Sequence, residues 1–549
     1  MEKQKKITSN FIYKIIHKDL FINKYKYIHT RFPPEPNGYL HLGHAKSICL
    51  NFNLAKIFKG KCNLRFDDTN PNTKHEKYIN KIKNDILWLG FKWDGKTRYS
   101  SDYFDQIYNF AIKLIKKNLA YVEELSLKEV RKNRGSLTRK GKQSPYRNRK
   151  IKENLILFEK MKNGEFKEGS ACLRAKINMQ SSCVLMRDPI LYRIRFKNHH
   201  RTKNKWCIYP TYDFSHCISD SIENITHSLC TLEFQENKKL YNWILKKVST
   251  DFVPKQYEFS RMNLEYSIMS KRKLKILIEK KLVSGWNDPR IPTLAGIRRR
   301  GYTASSIREF CNRIGITKQE STISESMLEF FIKKELNFNS YRLMAVINPL
   351  LLIIENFPDE YEEKIEISNH PYNNMGKRTV IFNKKIYIER SDFMENPKLE
   401  YKRLSLGKKV KLRNSYIIKA NRIEKNKHGY ITKVYCNYYS NIKKNNYKFS
   451  KLGIIHWVSE KNNIPAEFRF YDRLFTHPNP EKLDNFLSFF NKDSLIIKHG
   501  FIEKNIKKHH INYPVQFERI GYFFADKFNY KKDYPVFNLT AKLSSYLNR

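Results

Sequence analysis

The sequence predicts a multidomain chain, α/β in its first half and all-β at its end. Three observations carry that prediction. A strand, a Gly-bearing turn, a helix and a second strand follow one another between Tyr27 and Asp67. A basic, helix-patterned stretch occupies 261–339. Beyond about 340 the pattern changes to short alternating runs separated by polar turns. The first order is the grammar of a parallel α/β sheet, and the last spacing is that of β-barrels.

Each element follows from its local pattern. Residues 11–22 (FIYKIIHKDLFI) repeat apolar positions at helical spacing and predict a leading helix. Tyr27–Phe32 reads as a strand. Pro33-Pro34-Glu35-Pro36-Asn37-Gly38 is a dense turn, because proline fixes φ and glycine relaxes it. His41–Phe58 is helical again, Asn63–Asp67 is a strand ending in acidic residues, and Tyr78–Leu89 is a further helix. Residues 101–210 are mixed. They hold a helix over Phe104–Lys117, a basic loop over Arg134–Lys150, and strands at Ala171–Ile177, Val184–Arg187 and Ile190–Phe196. This stretch reads as an insertion between two halves of the α/β fold, which resumes up to Ser260. In the last part, Arg378–Phe382, Lys385–Ile388, Lys409–Leu412, Tyr416–Ala420 and Gly453–Val458 alternate as strands do. The expected partition is 1–100, 101–210, 211–260, 261–339 and 340–549.

A chain of 549 residues, 40% hydrophobic and 14% aromatic, has enough apolar side chain for several cores. Its net charge of +51 attracts polyanions, nucleic acid above all. Lys recurs with Asn, Ile, Tyr and Phe, as in chains encoded by AT-rich genomes, so charge alone weighs compositional drift and nucleic-acid binding equally. Nine cysteines, with no CxxC pair, support neither a disulfide scaffold nor a zinc ribbon and suit a reducing cytosol. Met1–Lys6 is basic but no apolar signal core follows, and Leu350–Ile354 is too short to span a bilayer. The expectation is a cytoplasmic protein, probing no membrane and holding no metal of its own.

The segment from Pro34 to His44 is the most informative. A tight turn here delivers a helix N-terminus, whose free N–H groups and dipole attract anions. His41 and His44 are three apart and share a face of the first turn, where both can donate to phosphate oxygens. Gly43 between them leaves room for a flat base. For these residues alone, a metal pair, a packed core histidine and a plain Pro-rich turn stay open. A second element lies at Met269-Ser270-Lys271-Arg272-Lys273, three cations and a small Ser together. Lys271 is a long cation able to reach a pyrophosphate leaving group, and preorganised charge there favours the transition state. By itself this segment also reads as a solvated basic loop. The two in this order are hard to explain by chance.

These segments resemble the class I aminoacyl-tRNA synthetases. His41-Leu42-Gly43-His44 looks like the first motif of that family and Met269-Ser270-Lys271 like the second. The wording His29–Gly38 is similar to the glutaminyl and glutamyl branch, and Asn63–Pro71 and Trp206–Leu232 to the glutaminyl branch. The resemblance implies a Rossmann catalytic core, an inserted acceptor-end domain, a helical connector and two anticodon-binding β-barrels. It implies ATP with Mg²⁺, L-glutamine and glutamine tRNA as partners, and a monomer.

It also implies roles. His41, His44 and Lys271 are expected to be catalytic. The ATP site takes Glu35, Pro36, Asn37, Leu42, Gly43, Ala45, Lys46 and Ser47, with Thr231, Arg261, Met262, Met269 and Ser270. Asp67, at a strand end, receives the glutamine α-ammonium. Tyr212 meets the side-chain amide with Arg31 nearby. Cys230 stands where the glutamyl branch places a cation, and Gln256 belongs to the same pocket. A carboxylate without a cationic partner is costly to bury, so such a site selects the amide. On the tRNA side, Leu137 is an apolar wedge for the first acceptor pair, and Glu236 stands where the family usually has Asp. Thr317, Lys318 and Gln319 meet the inner bend. Arg342, Arg403, Arg413, Gln516 and Arg519 read the anticodon, where splayed bases offer edges to Arg and Gln.

Overall fold

The α/β half begins with α1 (Phe11–Phe21), capped by the Asn10 side chain on Tyr13 N–H. The computed structural model describes residues 10–71, 75–439, 452–506 and 511–543, so the basic Met1–Lys6 segment lies outside the described residues. Two compact units divide the chain, Met1–Asn263 with Arg308–Ile323, and Leu264–Ile307 with Ser324–Arg549. The helix-patterned stretch 261–339 thus contributes to both.

In the first unit, β1 (His29–Phe32) leads through the proline turn to α2 (Leu42–Ile57) and on to β2 (Lys61–Phe66). β1 and β2 pair in parallel, His29 opposite Lys61. After α3 (His75–Trp88), β3 (Arg98–Tyr99) joins β2, also in parallel. Every residue of β1 is buried, as expected of a parallel strand covered on both faces. α2 buries Leu50 and Leu54, one turn apart, against Ile12 and Ile16 of α1.

The insertion follows: α4 (Phe104–Lys116), β4 (Ala120–Glu123), α5 (Leu127–Arg134), α6 (Ile151–Lys162), β5 (Cys172–Ala175), β6 (Ile190–Ile194) and β7 (Ile208–Pro210). β4 to β7 form one antiparallel sheet in chain order. The strand expected at Val184–Arg187 is not there. Those residues form a tight turn, with Met186 N–H on Cys183 O and Arg187 N–H on Val184 O. The apolar run is strand-like in composition, but here it closes a tight turn whose last residue, Arg187, is buried and donates to Arg134 O.

The parallel fold resumes with α7 (Tyr212–Ile222), β8 (His227–Thr231), α8 (Asn237–Val248) and β9 (Lys255–Phe259). β8 and β9 pair in parallel, Cys230 opposite Glu258. Thr226 links the halves: its Oγ1 accepts His29 N–H at 2.9 Å and its N–H donates to His29 O at 2.9 Å. The insertion shares one core with this second half, since Phe104, Phe158 and Tyr192 pack with Phe214, Leu240 and Ile244. Truncating a fully buried ring such as Phe158 costs about 3–5 kcal/mol.

The second unit holds α9 (Lys271–Glu279), further helices over Leu294–Arg300 and Glu325–Asn339, and two seven-stranded barrel-like sheets. One sheet is ordered Ile454–Ile455, Lys409–Leu412, Ile417–Lys425, Ile431–Tyr439, Pro349–Ile354, Lys385–Glu389, Trp457–Ser459. The other is ordered Tyr341–Leu343, Val515–Phe517, Gly521–Ala525, Val536–Lys542, Asn463–Tyr471, Leu495–Glu503, Ala345–Val346. Lys409–Leu412 alternates exposed and buried positions, with Val410 and Leu412 inside. Each sheet has its own core, around Trp457 and around Phe468 respectively. Leu274 and Leu277 of α9 pack on Phe475 and Phe486.

Candidate active site

His41 is the N-cap of α2 and its backbone is extended there. Its Nδ1 accepts the N–H of Gly43 at 3.1 Å, and Nδ1 of His44 accepts the N–H of His41 at 3.1 Å. The two rings lie 3.9 Å apart. Two imidazoles therefore do the work that Ser and Glu do in a capping box. With both Nδ1 atoms accepting, each neutral ring holds its proton on Nε2. Both rings are thus oriented at the helix start, where the dipole also favours anions. A Cβ on Gly43 would sit 2.9 Å from Cε1 of His41, so any side chain there would push the capping ring aside.

The rest of the expected nucleotide segment is varied. Glu35 and Asn37 are exposed, Pro36, Leu42 and Ala45 are buried, and Ser47 is half-buried. Lys46 is buried and its Nζ donates to Ser260 O at 2.9 Å. It ties α2 to the end of β9 instead of reaching outward, and burial lowers its pKa. Glu233, not expected from the sequence, accepts Thr231 Oγ1–H at 2.7 Å and lies 3.8 Å from the Arg261 guanidinium. Met262 is buried, its carbonyl oxygen 3.9 Å from where a Cβ on Gly43 would stand.

Below this lies a buried charge lattice. Arg31 donates through Nε to Asp220 at 3.0 Å, through Nη1 to Leu229 O at 2.8 Å, and through Nη2 to Ser228 Oγ at 2.8 Å. Arg65 donates to the same Asp220 oxygen at 2.7 Å and to Glu223 at 3.1 Å. Tyr241 O–H gives Asp220 a further bond at 3.1 Å. Burial opposes the charge of Asp220, but Arg31, His216 and Arg65 overcome it and hold the pKa far below the usual carboxylate range. His216 lies against both guanidinium groups, and burial first, then those cations, drops its pKa to about 3. Sequence reasoning named Arg31 but missed Arg65, Asp220, Glu223 and His216.

Above the lattice is a small cavity lined by Tyr212, His216, Cys230, Phe234, Tyr241 and Gln256, among others. Tyr212 stacks on His216 with ring centroids 4.9 Å apart. Burial raises the Tyr212 hydroxyl well above its usual range and the Cys230 thiol to about 12, so both stay neutral. Asp67 follows β2, accepts Thr69 Oγ1–H at 3.1 Å, and is pushed up to about 6, chiefly by burial.

Asp68, His199 and His200 form the one His, Cys, Asp or Glu group among the described residues close enough to share a metal ion. Their atoms are taken. Asp68 accepts Ser101 N–H at 2.9 Å, Ser101 O–H at 2.7 Å and His200 Nε2–H at 3.0 Å. Nδ1 of His199 accepts the N–H groups of Arg201 and Thr202, so its Nε2–H donates to Asp68 O at 2.7 Å. The group braces the turn after β2 to the hairpin at 199–203.

The insertion loop after α5 is built around Arg187, whose Nη1 donates to the carbonyls of Arg134, Ser136 and Arg139 at 2.8–2.9 Å. Gly135 has φ of +75°, and a Cβ there would be 2.4 Å from Arg139 O. Leu137 at the tip is 86% exposed. Glu236 is exposed and accepts Cys183 Sγ–H at 3.4 Å. Thr317 accepts Ser260 N–H at 2.8 Å, while Lys318 and Gln319 are exposed.

In the second unit Ser270 is the N-cap of α9. Met269 and Ser270 give their N–H groups to one oxygen of Glu481, at 2.7 and 3.2 Å, and Lys273 Nζ donates to Glu481 O at 2.7 Å. Lys271 opens the helix, half-buried. Glu481 was not expected from the sequence. Neither was Asp392, which is fully buried and holds two expected readers. Arg519 forks onto it at 2.6 and 2.7 Å, and Arg403 reaches it at 2.6 Å. Arg413 pairs with Glu518 at 2.6 Å. Gln516 is half-buried in its strand, whereas Arg342 is buried and donates to Asn337 O and Oδ1.

The family models that match the chain agree with this architecture. Residues 27–338 match the family model "tRNA synthetases class I (E and Q), catalytic domain". Residues 340–439 and 454–526 match its two anti-codon binding domains. The chain is 57% identical to a "Glutamine--tRNA ligase" of Buchnera aphidicola subsp. Schizaphis graminum, over 100% of this chain and 99% of that one. It is 57% identical to the protein of the same name from Proteus mirabilis, over 97% of each. A solved glutamate tRNA ligase from Elizabethkingia meningosepticum gives a TM-score of 0.43 at 18% identity, covering 57% of this chain and 70% of that one.

Proposed function

The chain belongs to the class I tRNA synthetases (E and Q), and we propose that it is a glutamine–tRNA ligase, using ATP to load L-glutamine onto glutamine tRNA. ATP enters as its magnesium complex, with Mg²⁺ part of that substrate. An oxygen of the glutamine carboxylate attacks the α-phosphorus. The bond to the bridging oxygen breaks, and its electron pair leaves with pyrophosphate. A hydroxyl of the terminal adenosine of the tRNA then attacks the activated carbonyl carbon. The carbonyl–oxygen bond to phosphate breaks, and AMP leaves with the proton.

The protein contributes position and charge. His41 and His44 present Nε2–H to phosphate oxygens at the start of α2. Glu35, Pro36, Asn37, Leu42–Ser47, Thr231, Arg261 and Met262 line the nucleotide. In that segment the role of Lys46 is to fix the helix, through Ser260. Lys271 serves the leaving pyrophosphate, on a loop set by Met269 and Ser270. Asp67 takes the α-ammonium of glutamine.

One observation carries the choice of glutamine: the Arg31 guanidinium is consumed by Asp220, so it offers no free charge to the cavity. With Tyr212 and Cys230 neutral, a side-chain amide finds polar partners there and a carboxylate finds no cation. Sites matched to a neutral polar group reject mismatched analogues by roughly 10⁴. Leu137 wedges the first acceptor pair, Glu236, Thr317, Lys318 and Gln319 meet the acceptor arm and inner bend, and Arg342, Arg403, Arg413, Gln516 and Arg519 read the anticodon. Among the described residues no helix is long and apolar enough to cross a membrane, and the reading is of a cytoplasmic monomer. The test is a charging assay with purified glutamine tRNA and each amino acid. Glutamine charged far in excess of glutamate is expected, and charging of glutamate alone overturns the proposal.

A further inference from the structure

Gln256 and Glu258 stand two apart on β9 and so share a face. Both are deeply buried, at 4% and 6% exposure. The Gln256 Nε2 donates to Phe234 O at 3.0 Å and to Glu258 Oε1 at 3.1 Å. A backbone carbonyl only accepts. Glu258 is an acceptor too, because Lys238 pairs with it, Nζ lying 3.2 Å from Oε1 and 3.3 Å from Oε2. The amide therefore has one sensible orientation. Both of its N–H groups are spent on Phe234 and Glu258, and its Oε1 is turned away from them. Gln256 also lines the cavity with Tyr212 and Cys230. With both N–H groups spent, the polar atom Gln256 has left to offer at this wall is its carbonyl oxygen. An amide N–H is complementary to that oxygen, and a carboxylate meets it lone pair to lone pair.

We propose that Glu258, paired with Lys238, is a positioning residue for substrate selection, fixing the Gln256 amide so that the glutamine pocket presents an acceptor. This rests on the reading of the cavity as the glutamine pocket. Cys230, directly opposite Glu258 across the β8–β9 pair, gives its thiol proton towards Tyr257 O at 3.9 Å and does not compete for the Gln256 amide. Without Glu258, only the Phe234 carbonyl biases the amide, and its second N–H is released. The pocket then offers a donor part of the time, which helps glutamate and handicaps glutamine.

The experiment compares the full chain with Glu258→Ala and Glu258→Gln, charging glutamine tRNA with glutamine and with glutamate. Glu258→Ala is expected to raise KM for glutamine and to cut the glutamine-to-glutamate ratio of kcat/KM about tenfold or more, the weight of one charge-assisted bond. KM for ATP and for tRNA should stay put. Glu258→Gln keeps a side-chain carbonyl that can still accept from Gln256, and should restore most of the ratio. An unchanged ratio in Glu258→Ala overturns the inference, as does a parallel rise of KM for ATP. If that variant does not fold, Glu258→Met, which keeps the bulk and lacks the acceptor, carries the same expectations. A parent chain that fails to charge glutamine sinks the proposed function itself. A parent that charges glutamine beside an unchanged variant ratio sinks this inference alone.

Discussion

The Nδ1 of His44 accepts the backbone N–H of His41 at 3.1 Å, so the second imidazole is oriented by the residue that carries the first. Chain direction, helix start and the proposed phosphate donors are set in one local motif. His44→Asn keeps a side-chain acceptor for the cap but lacks the ring N–H. It should lower kcat by roughly 10²–10³, the usual loss for one preorganised donor, with little change in Tm. ATP–pyrophosphate exchange in the presence of tRNA reads the first quantity and thermal unfolding the second. A kcat near that of the parent would remove His44 from the chemistry.

Asp67 gives a pH prediction. Its carboxyl titrates near pH 6, raised mainly by burial, and it must be ionised to receive an ammonium. KM for glutamine should rise as pH falls through 6, by up to tenfold per pH unit, with KM for ATP flatter. The stability sign is opposite to that of a salt-bridged acid. A folded pKa above the unfolded one means the folded state binds more protons between about 4 and 6, so stability falls as pH rises through that window. Asp67→Asn should therefore raise Tm at neutral pH while destroying glutamine binding.

Glu481 sets the loop before α9 by accepting two successive N–H groups. Glu481→Ala leaves both without that acceptor and loosens the turn that leads into Lys271. A fall in kcat of about tenfold is expected, since one charge-assisted bond is worth about that. Glu481→Gln keeps an oxygen and should retain most activity. Steady-state charging kinetics on the two variants decide this, and equal losses would show that the charge rather than the acceptor matters.

Asp392 anchors both Arg403 and Arg519 from a fully buried position. Breaking a buried pair by removing its anion costs about 3–5 kcal/mol. Asp392→Asn should accordingly lower Tm. At temperatures where the variant is folded, it should narrow the gap in kcat/KM between cognate tRNA and tRNA with a changed anticodon. An intact gap would mean that these arginines do not read bases.

What was legible in the sequence was local. The proline turn and the 3.6-residue period placed α2 and α4 within a residue or two, and the His-Leu-Gly-His spacing placed the cap. Alternation found Lys409–Leu412 to the residue. What was not legible was pairing at a distance. Arg65, Asp220 and Glu223 look like ordinary charged residues along the chain, and only the fold brings them together from positions more than 150 residues apart. Glu481 and Asp392 were missed for the same reason. Val184–Arg187 misled because a short apolar run has the same composition in a strand and in a tight turn.

The buried arginines carry one more consequence. Among the described residues the buried cations are Arg31, Arg65, Arg174, Arg187, Arg342 and Arg378, with Lys46 the lysine. Arg187 serves four carbonyls and Arg31 four different partners in fixed directions, a task a planar fork performs and an ammonium on a flexible stem does not. Arg→Lys, neutral in formal charge, is therefore not neutral at these interior positions. The net charge of +51 is blind to this distinction, because Arg→Lys leaves it unchanged.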